Sequence, residues 1–357
     1  MELPTVRQQQ ALGATLAERF GWTVPVDYGD AVAEARAVRE GVGLADRSDR
    51  GKVQLAGPDR VAFLQALVSN DVTAVQPGRG VYTLALNHKG QIVAEFPLLP
   101  WDETLLLTVE PEERAFVVGW LRRYKLRRKV EIRDVTETVG LLTLVGPAAP
   151  ASLAAWLGES LLLGRDEVAE RTWHGAPLLV AGNRDLGEVG YDLYLPVDHA
   201  EAAWETLLTL GAARPVGRTA WEALRIEAGT PRYGPELNEA TLPPEARLEE
   251  RAISYTKGCY PGQEIIARIK NRGQVNRFLR GLRFEAGPVP AAGAVLRIGD
   301  RQVGAITSAT FSPTLGVPIA LAYLRREIAL GDRVELDDGR AATVVNLPFV
   351  AAREPVR

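Results

Sequence analysis

The chain holds one cysteine, one methionine and three histidines in 357 residues. A single cysteine excludes an intrachain disulfide framework and suits a reducing compartment. It also excludes a tetracysteine zinc site and a cluster held by four thiolates of one chain. His88, His174 and His199 lie far apart in sequence, without the close spacing that metal-binding histidines show, so no metal centre is expected. No apolar run approaches the roughly 18 residues that a membrane helix needs. The start, "MELPTVRQQQALGATLAERF", lacks the basic-then-apolar pattern of a secretory leader. These absences predict a cytoplasmic protein. The formal net charge is −3, which gives no whole-chain electrostatic grip on nucleic acid.

What is present is an ordinary soluble composition, 46% hydrophobic and 24% charged, over a length that predicts two or three domains. "AVAEARAVR", residues 31–39, has helical spacing. "GKVQLAG" alternates like a strand, and "DRVAFLQALVSN" carries Val61, Leu64 and Leu67 on one helical stripe. "GVYTLALNHKGQIVAEFPLLP" predicts two strands around a His88-Lys89-Gly90 turn, and "ETLLLTVEP" a further strand. "VQLAGPDRVAFLQAL" and "LTLVGPAAPASLAAWL" both run strand, Gly-Pro, helix, which points to two related α+β modules. After about Arg283, alternating runs around Gly299-Asp300 and Asp338-Gly339 predict hairpins and a small antiparallel β-barrel. The resulting expectation is an α+β chain of three parts: residues 1–139, 140–278 and 279–357. "PRYGPELNEATLPPEARLEE", with four prolines and no period, predicts an irregular segment that wraps a surface or lines a cleft.

The lone thiol lies in "SYTKGCYPGQEIIARIKNRG". "PGQEIIARIKN" predicts a short helix, with Pro261 at its first position and Ile265, Ile266 and Ile269 as the buried stripe. Cys259 would then stand just before the positive end of that helix, with the Lys257 ammonium near it. Both favour thiolate. A small buried hydrophobe is the alternative use of a free cysteine, and the sequence alone leaves the two open.

"KGCYPGQE" resembles the signature of YgfZ-type folate-binding proteins, which support assembly or repair of iron–sulfur enzymes, a tRNA-modifying one among them. Most of the chain also resembles the related T-protein aminomethyltransferases of the glycine cleavage system. The matching stretches include "GVGLADRSDRGKVQLAGPDRVAFLQALVSNDV", "LRIEAGTPRYGPEL" and "ITSATFSPTLGVPIALAYL". The resemblance implies a three-domain ring with tetrahydrofolate, or a one-carbon derivative, near its central opening. It implies Asp192, in "GEVGYDLYL", as the carboxylate that accepts two parallel N–H bonds from the pterin edge. It implies Tyr82 as a ring lining the same pocket, with core packing as the alternative.

The departures from the T-protein pattern are specific. "GQIVAE" puts Ala94 and Glu95 where T-proteins carry two aspartates, so the second carboxylate survives one methylene longer. Trp221 stands where T-proteins have arginine and YgfZ-type proteins a tryptophan tied to folate binding. Arg50 occupies a second such position, unusual in either branch. The leading reading is a folate-binding accessory protein for iron–sulfur enzymes or assembly proteins. In it Cys259, with Lys257 beside it, is the reactive group, and Trp221, Tyr82, Asp192 and Arg50 form the folate site. The alternative is a folate-dependent one-carbon transferase using Glu95. A third reading is an interaction module with a vestigial pocket. "LRRYKLRRK", six basic residues in nine, reads as a solvated helix face or an anion site. It carries little aromatic interleaving, so sequence-specific nucleic-acid binding is not expected.

Overall fold

Both Gly-Pro turns end a strand and lead into a helix. The computed structural model, which describes residues 1–351, runs Gly51–Ala56 through Gly57-Pro58 into the helix Arg60–Gln65. It runs Val139–Val145 through Gly146-Pro147 into the helix Ala149–Leu157. Proline stops each strand because it has no N–H for the ladder. The first sheet is antiparallel in the order Val81–Leu86, Ile92–Trp101, Thr104–Val109, Gly51–Ala56, Glu131–Asp134. The second repeats the first four places with Val168–Trp173, Ala176–Asn183, Gly190–Pro196 and Val139–Val145. The repeated strand order matches the repeated sequence motif.

The second sheet then takes a strand from the start of the chain. Gly43–Asp46 pairs antiparallel with Val139–Val145 and parallel with Arg214–Pro215. The expected limit at residue 139 therefore does not divide the modules. Residues 51–134 hold the whole first sheet, and the segment before them is shared. All four residues of Gly43–Asp46 are buried. Such a strand shows no alternation, so periodicity does not reveal its pairing.

The two sheets pack face to face through Leu99 and Leu106 on Leu141, Leu179 and Tyr194. Helices cover the outer faces. Phe63, Leu64, Val117 and Leu121 bury against the first sheet, and Leu153, Trp156, Trp204 and Leu207 against the second. The irregular segment after Thr230 wraps the first module rather than the second, to which sequence order assigned it. Leu237, Leu248, Ile253, Tyr260 and Ile266 close over Leu84, Leu86 and Ile92. Their spacing follows no period because each residue meets a different part of the hairpin.

Six strands from Arg277–Phe284 to Ala341–Val345 close an antiparallel barrel around Leu282, Phe284, Leu296, Ile306, Leu324 and Val344. Two buried carboxylates join it to the rest. Glu227 accepts from Arg39 Nη2 at 2.7 Å, from Thr314 Oγ1 at 2.8 Å and from the Ser312 hydroxyl. Glu236 accepts from Arg225 Nη1 at 3.1 Å and from the Ser308 hydroxyl. Buried charges this enclosed persist only when partnered.

Candidate functional site

The site is built on the turn that leaves Gly43–Asp46. Asp46 accepts the Ser48 N–H at 2.9 Å and the Thr5 hydroxyl at 2.6 Å. Lys52 is fully buried, and its Nζ donates to Ser48 O and Arg50 O at 2.9 Å each. Burial pushes the Lys52 ammonium down to about 7, against the pull of Asp49 and Asp46. This clasp presents Arg47, Asp49 and Arg50 to a pocket between the two sheets, roofed by Gly217–Glu222 and the stretch 230–232.

Trp221, Tyr82, Asp192, Arg50 and Glu95 all line that pocket. The Arg47 guanidinium lies 4.4 Å from the Trp221 ring centroid, and its Nη1 is 3.7 Å from Asp192 Oδ1. Asp192 also accepts from Thr143 Oγ1 at 2.6 Å and Asn183 Nδ2 at 3.0 Å, both from neighbouring strands. Arg251 covers one face of the Tyr82 ring at 4.0 Å. One face of each aromatic expected to meet a ligand thus already carries a guanidinium.

Three glutamates stand close together in different surroundings. Glu95 accepts the Tyr82 hydroxyl and the Tyr233 N–H, the latter at 2.9 Å. Burial raises its carboxyl to about 7. The Glu110 charge adds to the rise, and the two hydrogen bonds oppose it. Burial alone would raise Glu110 as well, but Arg50, at 3.4 Å, and Arg232 hold it down to about 2. Glu113 is buried beside both and is pushed well above the carboxylate range. Its oxygens accept the Glu110 N–H at 3.2 Å and the Glu95 N–H at 3.4 Å. Carboxyls set apart in this way can divide acid and base roles.

Arg47, Glu110, Arg232 and Arg251 escape sequence reasoning. The two arginines flanking "RSDR" offer the one local signal, since Arg47 and Arg50 leave the same turn. Glu110 carries none, because its partners come from distant segments. Arg47 Nη1, Arg50 Nε and Arg232 Nε are buried donors with no hydrogen-bond partner, so the pocket has guanidinium N–H groups to offer an acceptor.

Lys257 and Cys259 are not among the pocket residues. Lys257 Nζ donates to Val68 O at 2.6 Å and Asn70 O at 2.8 Å, and burial pushes it down to about 8. Its charge serves two carbonyls of the first module, a use different from the expected support of the thiol. Cys259 is exposed, which answers against the buried-hydrophobe alternative. The helix covers Gln263–Arg272 and is capped by Gly262, so Pro261 lies outside it. Gly262 has φ +79°, and a Cβ there would stand 2.5 Å from Asn87 O. Cys259 precedes that cap by three residues, beyond the first turn where a helix end exerts its partial charge. Of the expected stripe only Ile266 is buried, while Ile265 and Ile269 are half-buried, and Glu264 pairs with Arg268 at 2.9 Å.

Among the described residues, no group of three or more His, Cys, Asp or Glu is placed to hold a metal. Among them, too, no helix is long and apolar enough to cross a membrane.

Residues 5–257 match the family model described as the GCVT N-terminal domain, and residues 277–351 match that of the glycine cleavage T-protein C-terminal barrel domain. The aminomethyltransferase of Rubrobacter xylanophilus is 34% identical over 348 residues, covering 97% of this chain and 93% of the relative. That of Frankia alni is 35% identical over 349 residues, covering 95% and 94%. The crystal structure of the glycine cleavage system aminomethyltransferase T from Bartonella henselae superposes with a TM-score of 0.91 at 25% identity, covering 100% of this chain and 99% of that one. These relatives carry the name of the transferase branch. The likeness to YgfZ-type proteins rests on the KGCYPGQE segment and on Trp221.

Proposed function

The chain belongs to the glycine cleavage T-protein family, and on that premise we propose that it binds tetrahydrofolate between its two sheets and transfers an aminomethyl-type one-carbon group. The observation that carries the reading is Glu95, a buried pocket carboxyl that accepts from the Tyr82 hydroxyl and the Tyr233 N–H and that burial pushes up to about 7. A general acid or base works best with a pKa near the working pH.

The residues suit a reduced folate. Asp192 keeps lone pairs beyond its bonds to Thr143 and Asn183 for the amino-pyrimidine edge. The partnerless N–H groups of Arg47, Arg50 and Arg232 suit carbonyl and carboxylate oxygens. Trp221 and Tyr82 supply aromatic walls. The folate, when bound, supplies the nitrogen that takes the carbon. Glu95 holds or accepts the proton at its carboxyl oxygen, and Tyr82 and Tyr233 fix its direction. Its extra methylene, relative to the aspartate of T-proteins, is accommodated by those two contacts.

The test is calorimetric titration with tetrahydrofolate and its 5-formyl derivative, paired with an assay for methylenetetrahydrofolate released from an aminomethyl donor. Micromolar binding, with turnover lost in Glu95→Gln and binding kept, supports the transferase. Absence of binding to either folate overturns the proposal.

One observation favours a second reading, an accessory folate-binding protein for iron–sulfur enzymes. The exposed Cys259 sits between two buried anchors, Lys257 and Tyr260, so the fold holds a thiol outward. Folate binding without turnover, together with loss of client iron–sulfur activity in Cys259→Ala, would favour it. An unchanged client in that variant would remove it.

A further inference from the structure

The basic run has a structure that the pocket does not explain. The helix Arg114–Lys125 ends at Leu126, which has φ +46° and is 84% exposed. A leucine is disfavoured in that backbone region, where an exposed turn ordinarily carries glycine or asparagine. Phe63, Leu67, Tyr124 and Leu126 line a shallow groove, with Arg127 and Arg128 at its rim. Asp59, also lining it, already accepts the Lys129 N–H at 2.8 Å.

The charge is concentrated as well. None of Arg122, Arg123, Lys125, Arg127, Arg128 and Lys129 forms a salt bridge or side-chain hydrogen bond among the described residues. The nearby Glu131 is paired with Arg133. The chain has 42 basic and 45 acidic residues, so with these six set aside the remainder is 36 against 45, or −9. An acidic protein therefore carries a dense run of positive charge beside one apolar groove, with Arg127 and Arg128 lining it.

We propose that this groove docks an acidic partner protein through a segment carrying an aliphatic anchor flanked by carboxylates. Charge complementarity supplies the rim, and the exposed Leu126 and Tyr124 side chains supply an apolar seat over the buried Phe63 and Leu67. The apolar seat favours a protein segment over a nucleic acid, whose phosphates need no such wall. The concavity favours it over a lipid surface, which would leave the groove unfilled. The site lies apart from the folate pocket, with no lining residue in common.

The probe is a fluorescent amphipathic peptide of glutamate with leucine at i, i+3, i+4 and i+7, titrated into the full chain by anisotropy. Its controls are the same peptide with serine for leucine, a thymidine oligonucleotide and phosphatidylglycerol vesicles. The expected result is saturable binding that weakens with salt. It should fall about tenfold in Leu126→Ser and further in the double variant Arg127→Glu/Arg128→Glu, with the circular dichroism of each unchanged. Equal binding of the serine peptide would overturn the anchor. Tighter binding of the oligonucleotide or the vesicles, or indifference to both sets of substitutions, would overturn the partner class.

Discussion

Arg47 lies across the indole of Trp221 at 4.4 Å and reaches to 3.7 Å from Asp192. One guanidinium thereby connects the helix Arg218–Glu227 to the second sheet at the floor of the pocket. Trp221 thus holds an arginine from the 47–50 turn. A partly desolvated contact of this kind is worth about 1–2 kcal/mol. Trp221→Leu should weaken tetrahydrofolate binding by about tenfold in calorimetry. Arg47→Lys should do nearly the same, because an ammonium does not stack flat. Unchanged affinity in both would remove this pair from the site.

Glu95 predicts a pH dependence of stability. Its carboxyl rises from 4.5 to about 7 on folding, so the folded chain keeps a proton that the unfolded chain has released. The contribution is complete below the unfolded value and is lost as pH rises through 7. Its size is at most about 3 kcal/mol. Urea unfolding across this range should show the decline in the native protein and a flatter profile in Glu95→Gln.

Lys52 acts in the opposite sense. Its ammonium is lowered from 10.5 to about 7, so its contribution is present above the unfolded value and is lost as pH falls through 7. Lys52→Met should remove that term and leave Ser48 O and Arg50 O without their donor. A loss of about 1–3 kcal/mol near pH 9 is expected. Because the clasp sets the turn carrying Arg47 and Arg50, folate affinity should fall in the same variant. Denaturation and titration of one preparation check both.

The joint at Glu227 predicts a large stability effect. Glu227→Ala removes one carboxylate from a buried network with Arg39, Ser312 and Thr314. About 3–5 kcal/mol is expected for breaking a buried pair. Ser312→Ala should cost about 1 kcal/mol. Equal, small losses in the two variants would show that the joint does not depend on the charge.

Several elements were legible from one sequence. The hairpin Val81–Leu86 and Ile92–Trp101 turns at residues 88–90, and the barrel hairpins turn at Gly299-Asp300 and Asp338-Gly339, as alternation and turn chemistry predict. The pairing of Gly43–Asp46 was not legible, since a strand buried along its length has no period. Nor was the packing of the 230–260 segment on the first module, where each apolar residue answers to a surface made elsewhere. Trp221, Tyr82, Asp192, Arg50 and Glu95 were named from resemblance, and they meet in one pocket. Lys257 and Cys259 were expected to act as a charge pair, and the fold gives the lysine to Val68 and Asn70 instead.

The sequence by itself determined the helix over 31–39, the hairpin over 81–101, the duplicated Gly-Pro unit and the barrel hairpins, because those follow from local periodicity and turn residues. Only the tertiary structure decided which pocket carboxyl is pushed up and which is held down. Glu95 is held by Tyr82 from the neighbouring strand and by the Tyr233 N–H, 138 residues away, while Glu110 meets Arg50 and Arg232. A carboxyl's charge depends on its burial and on the groups around it, and these come together only when distant segments pack.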